Sequence, residues 1–395
     1  MAILWKYLKG DKIIWIVAIA LSMISMLAVY TSISSLAYKY QSGNTEYYFF
    51  KHGFLMLSGL GMMYLAHKVS YRNYSRLAQM AIYFTIPLLV YTLLGGANLN
   101  SASRWISLPI INVSFQTSDL AKLALIMYLA RVLSKNQENI QDLKKGFLKV
   151  VLPIIFTVLL IFPANFSTAA VLFSATMVVM FIGGIRIKHL AAMVGLILVL
   201  IMLMFAVATI FPKVLPRAST WMARIERFAG TDEDSDGNFQ ANQAKTAIAT
   251  GGVIGKGPGN SVQKNLLPHP YSDFIYAIII EEYGAAGGVF VLVLYMTLLY
   301  RAVRIAFRSP GTFGTFLSIG LAFSLVFQAM INMGVAVNLL PVTGQPLPLV
   351  SMGGTSLWFT SLSIGIILSV SRQIEGDDEL EKDKSVTKNM NYAKS

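Results

Sequence analysis

Apolar residues in this chain gather into long, nearly unbroken runs, and the short segments between them collect Lys, Arg, Pro and Gly. A helix that crosses a bilayer needs about 20 mostly apolar residues. Runs of that kind occur at 13–32, 49–67, 77–96, 118–134, 147–163, 167–184, 189–211, 274–300, 312–337 and 347–371. The pattern predicts an all-α polytopic membrane protein with about ten transmembrane helices. Pro163 and Asn165 interrupt the stretch that holds the fifth and sixth runs. No small-residue cleavage site follows the first run, so it reads as a transmembrane helix and not as a signal peptide.

An even number of crossings puts both termini on one side. Basic residues in short loops mark the cytoplasmic side. They sit at Lys6, Lys9 and Lys12, at Lys68, Arg72 and Arg76, at Arg131, Lys135, Lys144, Lys145 and Lys149, at Arg186 and Lys188, and at Arg301, Arg304 and Arg308. The alternate short loops hold only Lys39, Lys51 and Arg104. The N- and C-termini are therefore expected in the cytoplasm. A large outer loop, 212–273, separates the seventh and eighth helices; loops beyond about 15 residues are uncommon unless functional or disordered. A second outer loop near 338–350 is dense in Pro and Gly. Residues 1–372 then form one transmembrane domain, and the polar stretch 373–395 is expected as a disordered cytoplasmic tail.

Composition agrees with lipid as the solvent. Charged residues make up 13% of the chain and apolar ones 55%, and the mean hydropathy is +0.61. The net charge of +13 is spread over helix ends and not gathered in one patch, which argues against a nucleic-acid partner. With no cysteine, disulfides, thiolate nucleophiles and cysteine metal sites are excluded. The four histidines are scattered without metal-ligand spacing, so no zinc site is expected.

Ionisable residues inside spans are costly and usually pair or line a wet cavity. Asp119 and Lys122 stand three apart on one helix face near the outer start of the fourth span. This is either a structural ion pair or one wall of a polar outward cavity in which Lys122 binds an anion. Glu281 and Glu282 lie within the eighth span. Asp273 closes the long loop in Pro270-Tyr271-Ser272-Asp273-Phe274-Ile275. Its place in the pattern favours a helix N-cap, and a carboxylate there could also serve as a general base if burial raises its pKa; the two roles are compatible. Arg104-Trp105 reads as an interfacial anchor or as a bidentate diphosphate partner. Gly251-Gly252-Val253-Ile254-Gly255-Lys256-Gly257 lacks the first Gly and the final Ser/Thr of a phosphate loop. Asp232-x-Asp234-x-Asp236-Gly237 lacks the bidentate Glu of a calcium loop, with Gln243 in its place.

Taken in order, these motifs resemble the SEDS family (shape, elongation, division and sporulation proteins). The carriers are Ala102-Ser103-Arg104-Trp105-Ile106, Phe115-Gln116-Thr117-Ser118-Asp119-Leu120-Ala121-Lys122, and Gly255-Lys256-Gly257-Pro258-Gly259-Asn260-Ser261-Val262-Gln263-Lys264. Asp273-Phe274-Ile275, Glu281-Glu282-x-Gly284, Asn332-Met333-Gly334 and Ser351-Met352-Gly353-Gly354 follow. The resemblance implies a glycosyltransferase of the bacterial inner membrane that polymerises lipid II on its periplasmic face, with Asp273 as the essential carboxylate. It implies substrate contacts at Arg104, Trp105, Asp119, Lys122, Ser261, Gln263, Lys264, Glu281 and Ser351. A class B penicillin-binding transpeptidase and other divisome proteins are the implied partners. Gly259-Asn260-Ser261-x-Gln263-Lys264 points to the division branch, whereas Pro341 to Pro348 looks more like the elongation branch. Tyr271 stands where the family carries His, so no catalytic His is assumed.

The chemistry expected is a single displacement. Asp273 takes a proton from the acceptor GlcNAc 4-OH, the oxygen attacks the MurNAc anomeric carbon with inversion, and diphosphate departs. Arg104, Lys122 and Lys264 hold that diphosphate, with a divalent cation (Mg or Mn) as an optional bridge. A lipid-linked precursor flippase and an elongation-type polymerase are the alternative readings.

Overall fold

The computed structural model describes residues 8–34, 36, 38, 44–95, 97–99, 102–108, 113–210, 222 and 239–392. Ten helices fall on the ten predicted runs: α1 (Lys12–Ser32), α2 (Thr45–Lys68), α3 (Tyr71–Gly95), α4 (Thr117–Lys135), α5 (Leu148–Ile161), α6 (Phe166–Ile182), α7 (Ile187–Ile210), α9 (Ile275–Arg308), α10 (Thr312–Ala336) and α11 (Ser356–Tyr392). An eleventh, α8 (Phe239–Gly251), belongs to the long outer loop and packs on α9. Six of the ten are long and apolar enough to span by themselves, and α5 and α6 are shorter apolar helices. The polar members α2 and α4 are shielded by neighbours. Most of α4, including Asp119, is buried, and α2 lies along α11. Large apolar side chains such as Met23, Leu27, Leu196, Leu198, Met202 and Leu203 face outward, as expected where the surrounding solvent is hydrocarbon.

Three differences from the sequence reading have physical causes. The outer loop between α3 and α4 contains a three-stranded antiparallel sheet, β1 (Ala97–Leu99), β2 (Ala102–Leu108) and β3 (Val113–Gln116). Its register sets Trp105 opposite Gln116, at the entrance to α4. The last helix begins at Ser356, not 347: Pro346 and Pro348 supply no N–H, and Leu349 takes φ of 62°. The tail expected to be disordered continues α11 as backbone helix to Tyr392. A spanning helix has already nucleated it, and Glu and Lys propagate helix well.

Helix α9 is broken. Gly284 has φ 72° and ψ −177°, a conformation open essentially to glycine alone. The carbonyls freed by the break accept from the loop after α8: Lys256 N–H donates to Glu281 O at 3.0 Å and Gly257 N–H to Glu282 O at 2.9 Å. In return, Ala285 and Ala286 donate to the carbonyls of Gly252 and Val253. The two backbones touch. A Cβ on Gly284 would lie 2.1 Å from the Val253 oxygen, and one on Gly255 2.3 Å from the Glu282 oxygen. Of the glycines that superficially suggest a phosphate loop, Gly251 and Gly255 are there for this contact.

Candidate functional site

Asp273 lies half-buried just before α9, at the outer end of the bundle under the orientation set by the basic loops. It is not the helix N-cap. Phe274 holds that position, with no side-chain cap bond. The segment before it is pinned by the Pro-rich outer loop. Ser351 Oγ donates to the Ser272 carbonyl at 2.6 Å and accepts from Leu347 N–H at 2.7 Å, while Met352 N–H donates to the Tyr271 carbonyl at 2.9 Å. The Ser272 hydroxyl donates to Asp273 Oδ1 at 3.0 Å, and Gly344 brings that loop close to Oδ2. His269 and Tyr271 bond to each other at 3.0 Å.

From there a chain of polar side chains runs inward. Asn332 on α10 donates to the carbonyls of Asp273 and Gln345, at 2.8 and 2.7 Å. Gln345 reaches Thr168 on α6 at 2.8 Å. One turn before Asn332, Gln328 donates to the Pro346 carbonyl at 2.9 Å and accepts from Lys122 Nζ at 2.8 Å. Lys122 also pairs with Asp119 at 2.8 Å; the two are 13% and 4% exposed. Lys122 and Asp119 line a cleft between α4, α10 and α11 together with Gln328, Ser324, Ser356 and Thr360. Within a bilayer each such bond adds roughly 0.6 kcal/mol, so the chain fixes geometry more than it adds stability.

The remaining predicted residues form a separate cluster at the break in α9. Glu281 is fully enclosed, and its carboxylate accepts from Lys256 Nζ at 2.6 Å, from the Ser261 hydroxyl, and from Val262 and Gln263 N–H. Lys264 Nζ donates to the Gly259 carbonyl at 2.7 Å. These contacts make Glu281, Ser261 and Gln263 organisers of the loop leading to Asp273. Trp105 is half-buried in β2. The Arg104 side chain and the calcium-like turn at 232–237 lie outside the described residues. Sequence reasoning missed Gln328, Asn332 and Gln345 as site residues. Polar side chains one turn apart on a spanning helix are a readable signal, and Gln328 with Asn332 supply it.

A helical membrane bundle with an outward carboxylate, a buried lysine and a polar bridge between them defines a multi-pass protein built around an outer polar site. The chain belongs to the FtsW/RodA/SpoVE (SEDS) family of cell cycle proteins, whose family model matches residues 11–376. It is 34% identical over 387 residues to the stage V sporulation protein E of Bacillus subtilis, covering 93% of this chain and 98% of that protein. It is 33% identical over 377 residues to the probable peptidoglycan glycosyltransferase FtsW of Geobacter metallireducens, covering 93% and 96%. A solved chain from a peptidoglycan synthase complex, described as structurally coordinating polymerization and crosslinking, superimposes with a TM-score of 0.73 at 26% identity, covering 92% and 98%. The Thermus thermophilus rod shape determining protein RodA shares the fold, with a TM-score of 0.65 at 24% identity.

Proposed function

We propose that this chain is a peptidoglycan glycosyltransferase that polymerises lipid II on the outer face of the bacterial inner membrane. The observation that carries this reading is the placement of Asp273: half-buried, braced by Ser272, Ser351 and Asn332, and linked through Asn332, the Gln345-Pro346 backbone and Gln328 to the ammonium of Lys122. Relatives named as peptidoglycan glycosyltransferases match nearly the whole chain, which supports it.

Asp273 acts as general base toward the acceptor sugar hydroxyl. Its fixed backbone keeps the carboxylate on one side of the reacting carbon, which suits inversion in one displacement. Diphosphate leaves without strong acid assistance, so positive charge nearby does the remaining stabilisation. Lys122 supplies it, and the family resemblance assigns Arg104 and Lys264 to the same task. Among the described residues no three His, Asp or Glu side chains converge, so Mg2+ or Mn2+ fits only with substrate oxygens completing most of its shell and Asp273 as the protein carboxylate. Such an ion would neutralise charge on the leaving group.

The division branch, with septal placement and a class B penicillin-binding transpeptidase as partner, is the finer reading. The loop Gly259-Asn260-Ser261-x-Gln263-Lys264 and the several relatives named FtsW support it. The synthase complex among the similar structures supports a transpeptidase partner. The test is polymerisation of lipid II by the purified chain in detergent, with and without a cognate transpeptidase. Glycan product that disappears in Asp273→Ala, a loss of about 100-fold or more, is the expected outcome. Undiminished product in that variant, or none from the wild type with any partner, would sink the reading.

A further inference from the structure

A second polar concavity lies at the opposite end of the bundle, where α2 ends. It encloses about 580 Å3, counting the part open to solvent, and Lys9, His67, Lys68, Ser369, Arg372 and Gln373 line it. None of the described residues lining it is acidic. The tendency of cytoplasmic loops to be basic explains why cations are present, not why they converge on a hollow. The adjacent cleft provides the contrast. There Lys12, Arg301, Arg304 and Arg308 share the wall with Asp11 and Glu375. Asp11 pairs with Arg301, and Glu375 accepts the Gly10 N–H at 2.6 Å.

The walls of the hollow are fixed. α2 and α11 approach to backbone contact: a Cβ on Gly365 would lie 2.5 Å from the Met63 carbonyl, and one on Gly59 2.8 Å from Ser361 Oγ. Ser369 donates to the Val69 carbonyl, and Arg372 Nη1 to the Lys68 carbonyl at 2.8 Å. The Lys68 ammonium lies 4.5 Å from the centre of the Tyr64 ring, so its position is also defined. The basic loops place this end of the bundle at the cytoplasmic membrane surface, level with the head groups of the inner leaflet.

We propose that the hollow is a binding site for the phosphate head group of an anionic phospholipid of the cytoplasmic leaflet. Guanidinium and ammonium groups on preset walls match a phosphodiester, and basic pockets between spanning helices at this level suit such head groups. The proposal rests on the fold and the orientation and is independent of the catalytic reading.

Calorimetry of the full chain in a neutral maltoside detergent tests it, with short-chain phosphatidylglycerol, short-chain phosphatidylcholine and inorganic phosphate as probes. Phosphatidylglycerol is expected to bind saturably, and about fivefold more weakly for each cation removed in Lys68→Gln and Arg372→Gln. Arg372→Gln also removes a cap from α2, so Lys9→Gln, which leaves those bonds in place, is measured beside it. Unchanged affinity in all three variants, or equal binding of phosphatidylcholine, would overturn the site. Inorganic phosphate binding as tightly as the lipid would overturn the lipid as its occupant.

Discussion

Glu281 and Asp273 bracket the first turns of α9, and their surroundings differ sharply. Glu281 is 0% exposed, and Lys256, Ser261, Val262 and Gln263 all donate to it. Asp273 is half-buried, and Asn332 holds its carbonyl, not its carboxylate. Glu281→Gln breaks a buried ion pair, so it should lower stability by about 3 kcal/mol, read as an earlier thermal transition in detergent. Asp273→Asn should leave that transition in place and abolish polymerisation; a variant that keeps both would remove the base from the mechanism. Asn332→Ala loosens the main chain under Asp273 without touching the reacting groups. A fall in kcat of about tenfold with KM little changed is the outcome expected of such misplacement. A change confined to KM would place Asn332 in substrate binding instead.

At the scale of elements, the ten spans were legible because lipid forces long apolar helices and leaves few alternatives. Observed ends such as Thr117–Lys135 and Thr312–Ala336 fall within a residue or so of the expected ones. What escaped was structure held by backbone contact. β2 and β3 are short and moderately polar, and their pairing depends on each other and not on a hydrophobic run. The break in α9 leaves the apolar pattern intact, since Gly284 sits inside a helix-like stretch and only the neighbouring loop shows why it is needed. Asp273 was legible as the leading carboxylate, yet the capping role that the pattern favoured falls to Phe274. Gly284→Ala puts a methyl group 2.1 Å from the Val253 oxygen in a backbone state that L-residues avoid. It should collapse the yield of folded protein, measured as monodisperse material after extraction; a normal yield would mean that the loop docks another way.

For the whole molecule, the absence of native cysteine makes orientation directly measurable. Asn260→Cys should react with an impermeant maleimide in spheroplasts, and Ser70→Cys only after permeabilisation; the reverse order would invert the bundle. The broken helix also bears on how the chain is made. Residues 252–257 leave the ribosome before 281–286, yet each segment completes the other's hydrogen bonding. Until the loop has docked, the amides of Ala285 and Ala286 lack the acceptors they have in the finished protein, and bare peptide groups are poorly tolerated in hydrocarbon. The eighth span is therefore expected to dwell at the insertion machinery until its earlier-born loop folds back onto it, so that assembly of this region is ordered in time by the direction of translation.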